Sequence, residues 1–333
     1  MSKLTSDNSH YRSHSEAKST DKTGKLQLIA QGNGMSALPA AVRDLVVASV
    51  ADNSRRAYAS DLRRFISRGG SFPSDSTSVA VYLAEHAGTH SVATLRRWVA
   101  SLSKAHTAVG YPDPTKSEPA KSTLSGICRV HGEAPQNASP LLRDDIFAVL
   151  DQIGSGIRDA RDRALLLIGF AGGFRRSELV SLNVADIAFV RRGLVITLRR
   201  SKTDQTGIGR EIGIPLGKTR HCPVTALEGW LRIASIDNGA IFRPVDRHSH
   251  VGVGRLSREA VSIIVKERVA ATGIDAGRYS GHSLRAGFCT SAALAGVSSW
   301  KIRQQTGHAS DAMLARYIRS AELFEENAAG AVL

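Results

Sequence analysis

Apolar residues recur every three or four positions through most of the chain and alternate with polar ones in one central stretch. The first pattern predicts helices and the second predicts strands. The helical pattern starts at Ala37, where Leu38-Pro39 opens a helix carrying Leu45, Val46 and Val50. Asn53-Ser54 then reads as an N-cap, ahead of a stripe of Tyr58, Leu62 and Phe65 that Gly69-Gly70 ends. Further helices are predicted over Asp75–Ala87, Ser91–Val109 and Ser122–Val130. The stretch His131–Pro140 is polar and Pro-flanked, which predicts a linker.

A second unit begins at Leu141. Its apolar run Ala164–Ala171 predicts a buried helix that stops at Gly172-Gly173, so Arg175 and Glu178 fall one turn apart at the start of the next helix. Three alternating segments, Val184–Val190, Gly193–Arg199 and Arg210–Pro215, predict a small three-stranded antiparallel sheet. Lys202 sits in the polar loop between the second and third. Helices resume over Val224–Ala234 and Ser257–Thr272, the latter with Arg258 in its first turn. Near the end, Ser280-Gly281 breaks the chain before a helix that puts His282 and Arg285 on one face. A short helix over Ser299–Thr306 ends at Gly307, a residue suited to a helix C-terminus. His308 falls on the turn that follows. Tyr317 lies on one more helix, with Asp311 as its candidate N-cap. The fold class is therefore mainly α with a small antiparallel β-sheet. The domains are a tail (1–36), a helical domain (37–130), a linker (131–140) and a second domain (141–333).

Composition narrows the partner. The chain has 333 residues and a net charge of +14, with basic residues spread along its length. Such an excess favours a polyanion, nucleic acid before an anionic membrane. Residues 1–36, polar and without periodicity, are expected to be a disordered tail. The three cysteines are far apart and show neither metal spacing nor a disulfide framework. No apolar run is long enough to span a bilayer, and no signal-peptide core is present. A cytoplasmic protein is expected. Asn53, Ser54, Arg55, Arg56 and Arg63 place amide donors and cations along one helix start, a site for DNA phosphate or groove. Arg258 offers a second such place.

Taken singly, a tyrosine near a helix end is ordinarily an amphipathic surface residue, and a hairpin lysine is ordinarily solvent decoration. Together, a tyrosine hydroxyl, cations and two imidazoles on consecutive elements form an inventory for attack on phosphorus. The ordered set is Arg175, Lys202, His282, Arg285, His308 and Tyr317, in GFRRSEL, RRSKT, GHSLR and a GH with a downstream Tyr. It resembles the tyrosine recombinase (phage integrase) family.

That resemblance implies a helical core-binding, SAM-like domain followed by an α+β catalytic domain with a C-terminal docking tail. It implies site-specific recombination through a 3′-phosphotyrosyl intermediate and a Holliday junction. The partners would be double-stranded DNA with inverted-repeat sites and a homotetramer formed on two such sites. Arg175 and Arg285 suit charge developing on nonbridging phosphate oxygens, because guanidinium presents paired donors. His308 adds a donor, His282 accepts the Tyr317 proton, and Lys202 supplies the acid for the leaving 5′ oxygen. Glu178 is placed to orient His282 or Arg175. No acidic cluster for a metal accompanies these residues, and no cofactor is expected. A nicking-closing enzyme of the type IB topoisomerase kind shares the chemistry and is the alternative.

Overall fold

The computed structural model describes residues 52–132, 138–199 and 209–321. The tail expected over 1–36, the helix expected from Ala37, Lys202 and the segment 324–333 lie outside them. The chain divides into two compact units between Pro135 and Gln136.

The first unit is helical: α1 (Asp52–Ser67), α2 (Ser76–Glu85), α3 (Val92–Val109) and α4 (Glu118–His131). Asp75 caps α2 by accepting from the Ser78 amide, and Ser91 caps α3 through the Thr94 amide. The helical stripes meet in a core that includes Leu62, Phe65, Leu83, Leu95, Trp98 and Leu102. Inside it Asp61 accepts two bonds from Arg97 (3.0 and 2.9 Å) and one from Ser101 (2.7 Å). Two boundaries differ from expectation. Helix α4 starts at Glu118, ahead of Ser122, because Pro119 sits in the first turn, where its missing amide leaves nothing unsatisfied. Asn53 does not cap α1, since Asp52 is already helical. Its Oδ1 accepts instead from the Arg56 guanidinium one turn on, at 3.0 Å.

The second unit contains α5 (Arg143–Asp151), α6 (Ile157–Ala171), α7 (Arg176–Ser181), β1 (Ile187–Val190), β2 (Gly193–Leu198), β3 (Arg210–Pro215), α8 (Pro223–Ile233), α9 (Arg258–Ala270), α10 (Gly281–Leu294), α11 (Ser299–Thr306) and α12 (Asp311–Ala321). The strands form an antiparallel sheet in the order β1-β2-β3, with Ile196 opposite Ile187 and Ile212. Period-two alternation buries Leu194, Ile196 and Leu198 of β2 and Ile212 and Ile214 of β3. They join α6, α8 and α9 in the main core. Strand β1 begins later than Val184, because the Asp186 carboxylate accepts the Asn183 amide (2.9 Å) and winds 184–186 into a 3₁₀ turn.

A smaller cluster of Cys289, Ile302 and Leu314 packs with Phe288 and Tyr317, fixing α12 against α10 and α11. The segment leading into α5 runs along α10. Ser139 donates its amide to Arg278 O (2.8 Å), Leu141 to Ser283 O (3.0 Å) and Arg143 to Ser291 Oγ (3.0 Å). Gly287 permits this approach: a Cβ there would stand 1.7 Å from the Leu141 carbonyl oxygen. Among the described residues no helix is long and apolar enough to cross a membrane.

Candidate active site

Four short stretches converge in the second unit. The first is the corner between α6 and α7. Gly173 turns the chain there with φ +56°, and a Cβ on it would come within 2.8 Å of Thr306 Cγ2. Both the dihedral and the crowding require glycine. Arg175 follows as the N-cap residue of α7. Glu178, 3% exposed, accepts from the Arg175 amide (3.0 Å) and from its Nη1 (2.6 Å). Arg175 Nη2 also reaches Gly307 O at 3.4 Å.

The second is the first turn of α10. Ser280 Oγ accepts from the His282 amide (3.2 Å), and Ser283 Oγ accepts from the Ser280 amide (3.0 Å). This reciprocal cap fixes the turn that presents His282 and Arg285. Arg285 is 1% exposed. Its Nη1 donates to Gly173 O (2.6 Å) and Thr306 O (2.7 Å). Its Nη2 is buried with no hydrogen-bond partner among the described residues. Burial, reinforced by the nearby Arg175 charge, lowers its pKa to about 10, so it remains a cation at neutral pH.

The third is the end of α11, where Gly307 adopts the left-handed conformation (φ 66°) and His308 follows. His308 is buried, and its Nδ1 lies 2.7 Å from Thr306 Oγ1. Burial first, then the charges of Arg285 and Arg175, push its pKa down to about 3. The fourth is α12. Tyr317 is half-buried there, its Oη 2.8 Å from His282 Nε2 and its ring centroid 5.9 Å from that of His308. Asp311 is the first residue of α12, and its carboxylate accepts from Arg303 at 3.0 Å.

Charge sets the direction of the tyrosine–histidine bond. Withdrawal from water raises the Tyr317 pKa above the usual phenol value. His282 is exposed as a residue, yet its imidazole is partly withdrawn from water. That desolvation, then Arg285, Arg316, Arg176 and Arg175, lower its pKa. At neutral pH the phenol is protonated and the imidazole is neutral. Tyr317 therefore donates and His282 Nε2 accepts, as an attack by the phenol oxygen requires.

Of the residues singled out from sequence, Arg175, Glu178, His282, Arg285, His308 and Tyr317 share this site. Glu178 is bonded to Arg175. Lys202 lies outside the described residues. Asn53, Ser54, Arg55, Arg56 and Arg63 are on α1 of the first unit, and Arg258 is exposed in the first turn of α9. Two site residues were not anticipated. Arg210 donates to the carbonyls of Gln304 (3.2 Å), Gln305 and Thr306 (3.1 Å), and lies 3.9 Å from Glu178. A signal existed: at period two it shares the buried face of Ile212 and Ile214. Thr306, fully buried, had none.

Residues 141–323 match the phage integrase family. The chain is 36% identical over 290 residues to an integrase/recombinase XerD homolog of Selenomonas ruminantium, covering 84% of this chain and 85% of the relative. Identity to the recombinase Cre of Escherichia phage P1 is 26% over 269 residues, covering 75% and 77%. Among solved structures, a XerH site-specific recombinase bound to palindromic difH substrate in a post-cleavage complex superposes with TM-score 0.60 at 18% identity, covering 94% of this chain and 90% of that one.

The His308 environment predicts a pH effect. In the unfolded chain its imidazole titrates near the ordinary ~6.5, and in the folded protein near about 3. Between these values the unfolded chain binds the extra proton, so stability rises with pH and is lost as pH falls. The stability advantage of wild type over His308→Gln should shrink by about 2 kcal/mol between pH 7 and pH 5. Urea melts at the two pH values measure it, and parallel curves for both proteins would contradict it.

Proposed function

The chain belongs to the phage integrase family, and we propose that Tyr317 is the nucleophile with which it breaks DNA. It is a tyrosine-type site-specific recombinase, an enzyme that breaks and rejoins DNA. The observation that carries the residue assignment is the 2.8 Å bond from Tyr317 to a neutral His282, beside a buried guanidinium whose Nη2 has no hydrogen-bond partner among the described residues.

In the proposed step the Tyr317 oxygen attacks the scissile phosphorus. A Tyr–O–P bond forms, the bond to the 5′ oxygen breaks, and the phenolic proton passes to His282. Arg175, Arg285 and His308 meet the charge growing on the nonbridging oxygens. Preorganised donors of this kind are each worth ~3–4 kcal/mol of barrier. Lys202 gives the departing 5′ oxygen its proton. The product is a 3′-phosphotyrosyl link and a free 5′ hydroxyl. The link retains the bond energy, so a 5′ hydroxyl from the partner duplex reverses the step without ATP. Repetition on the second strand pair resolves a Holliday junction.

The assembly in this proposal is a homotetramer on two inverted-repeat sites. Exposed Leu294, Val297 and Trp300 around the α10–α11 turn support subunit contact there, and residues 324–333 are the segment proposed to dock on a neighbour. The helical first unit and α9 are proposed to hold the duplex.

Tyr317→Phe keeps the packing ring and loses only the oxygen. It should bind the site with near-normal affinity and form no covalent adduct on a denaturing gel. Adduct formation by this variant would remove Tyr317 from the role.

Arg56 stands on α1 and Arg258 in the first turn of α9, and at least one should contact a base edge. Its replacement by Ala should cost ~1–3 kcal/mol on the cognate site and relax preference at one position, whereas loss of a phosphate contact weakens all sequences alike. Gel shifts on cognate and random DNA separate the cases. Equal losses on both DNAs for both variants would refute base reading.

Lys202→Ala should cleave ordinary DNA very slowly. A substrate with sulfur in place of the bridging 5′ oxygen has a leaving group that needs no proton. That substrate should restore most of the rate to Lys202→Ala and little to Arg175→Ala. Rescue of neither variant, or of both alike, would assign Lys202 another role.

A further inference from the structure

Arg176 follows Arg175 as the first residue of α7 and is exposed. Its Nη1 donates to Ser262 Oγ on α9 at 2.9 Å. Its stem lies over Gly281, the first residue of α10. A Cβ on Gly281 would stand 2.5 Å from both Cγ and Cδ of Arg176. The Gly281 amide donates to the same Ser262 Oγ at 3.3 Å. One hydroxyl on α9 thus accepts from α7 and from α10.

A hydroxyl oxygen has two lone pairs and can accept twice. Both donors here are N–H groups, so the two bonds do not compete for a proton. The first amides of a helix find no partner within it. At the start of α10 the Gly281 amide is taken by Ser262, and the His282 amide by Ser280 Oγ (3.2 Å). The turn that carries His282 is therefore fixed in part from outside its own helix. Packing adds to bonding: with no side chain at 281, the Arg176 stem rests directly on that backbone. Ser262 stands four residues after Arg258, on the same side of α9. The tie thus runs from the helix proposed to hold the duplex to the residue proposed to take the phenolic proton.

We propose that Arg176 is a positioning residue for His282, tying the first turn of α10 to α9 through Ser262 so that the imidazole stays within reach of the Tyr317 hydroxyl. This rests on the assignment of His282 as the proton acceptor. Arg176 also acts by its charge. His282 faces Arg175 and Arg176 from α7, Arg285 from its own helix, Arg316 and Tyr317 from α12, and His308 from the turn before α12, while α9 brings the neutral Ser262. After desolvation, the four arginines hold the His282 pKa down. Removing one of them raises it, and the imidazole is then protonated, and unable to accept, up to a higher pH.

The test uses the full-length protein and DNA carrying its site. The readouts are gel-shift affinity and the rate of covalent adduct formation in a single turnover at saturating protein, followed across pH. Arg176→Ala removes the tie and the charge, and Ser262→Ala removes the acceptor alone. Arg176→Ala should bind the site with near-normal affinity and cleave about tenfold more slowly, inside the ~10²-fold that a 1 Å misplacement can cost. The acid limb of its pH–rate profile should move to higher pH. Ser262→Ala should also cleave slowly, with that limb in place. The double variant should lose less than the product of the two factors, because both changes cut one tie. In a His282→Ala background, Arg176→Ala should have no further effect. A wild-type rate for Arg176→Ala, an unmoved acid limb in it, additive losses in the double variant, or an undiminished effect in the His282→Ala background would each overturn the proposal. Weaker binding to all DNA with an unchanged rate at saturation would make Arg176 a phosphate contact instead. A wild-type rate for His282→Ala would remove His282 as proton acceptor, and the proposal with it.

Discussion

Arg285 holds a full positive charge at 1% exposure, and its Nη1 is bonded only to backbone. The two carbonyls belong to Gly173, just past the end of α6, and to Thr306, the end of α11. Both are helix C-termini, where unpaired carbonyls and the helix dipole carry partial negative charge. An uncompensated buried charge is costly, and here the compensation exists only while both helix ends stay in place. Displacement of either end would strand the guanidinium. The convergence of the α6–α7 corner, α10 and α11 is therefore a condition for folding as much as a feature of the site.

Arg210 repeats the device on the same helix end, reaching the carbonyls of Gln304, Gln305 and Thr306. Gln305 closes the arrangement by donating to Ala171 O (3.0 Å) and Gly213 O (3.3 Å). Three guanidiniums, those of Arg175, Arg210 and Arg285, then face one buried carboxylate, Glu178. The like-charge crowding is visible in the lowered pKa values of Arg285, Arg210, His282 and His308, each led by burial. An anion entering this field would relieve it, and binding to the folded state alone would stabilise that state.

Much of this was legible because the elements announce themselves locally. Ser280-Gly281 marks the start of α10, Gly307 the end of α11, and the alternation around Ile196 and Ile212 the sheet. These are short-range signals with a physical cause. The miss at α4 was also local: Ser-Glu-Pro resembles a turn, yet proline is welcome in a first helical turn. What sequence did not reveal were contacts between side chains and distant backbone. No pattern near Thr306 says that its carbonyl will receive two arginines. The Asn53 cap failed for a different reason, since the helix already includes Asp52 and leaves the Asn53 oxygen to the Arg56 guanidinium.

The segment from Ser139 to Arg143 has a mechanical consequence. It is bonded to Arg278, Ser283 and Ser291 and seated against Gly287 so closely that a methyl group would not fit. Slack in a connector is ordinarily absorbed by the loop that follows it. Here a load arriving at residue 138 meets anchored backbone at once. It is delivered lengthwise to α10, the helix whose first turn carries His282 and Arg285. Tension on residues 138–143 would thus be borne by the turn that carries His282 and Arg285, with the three anchor bonds as its first resistance.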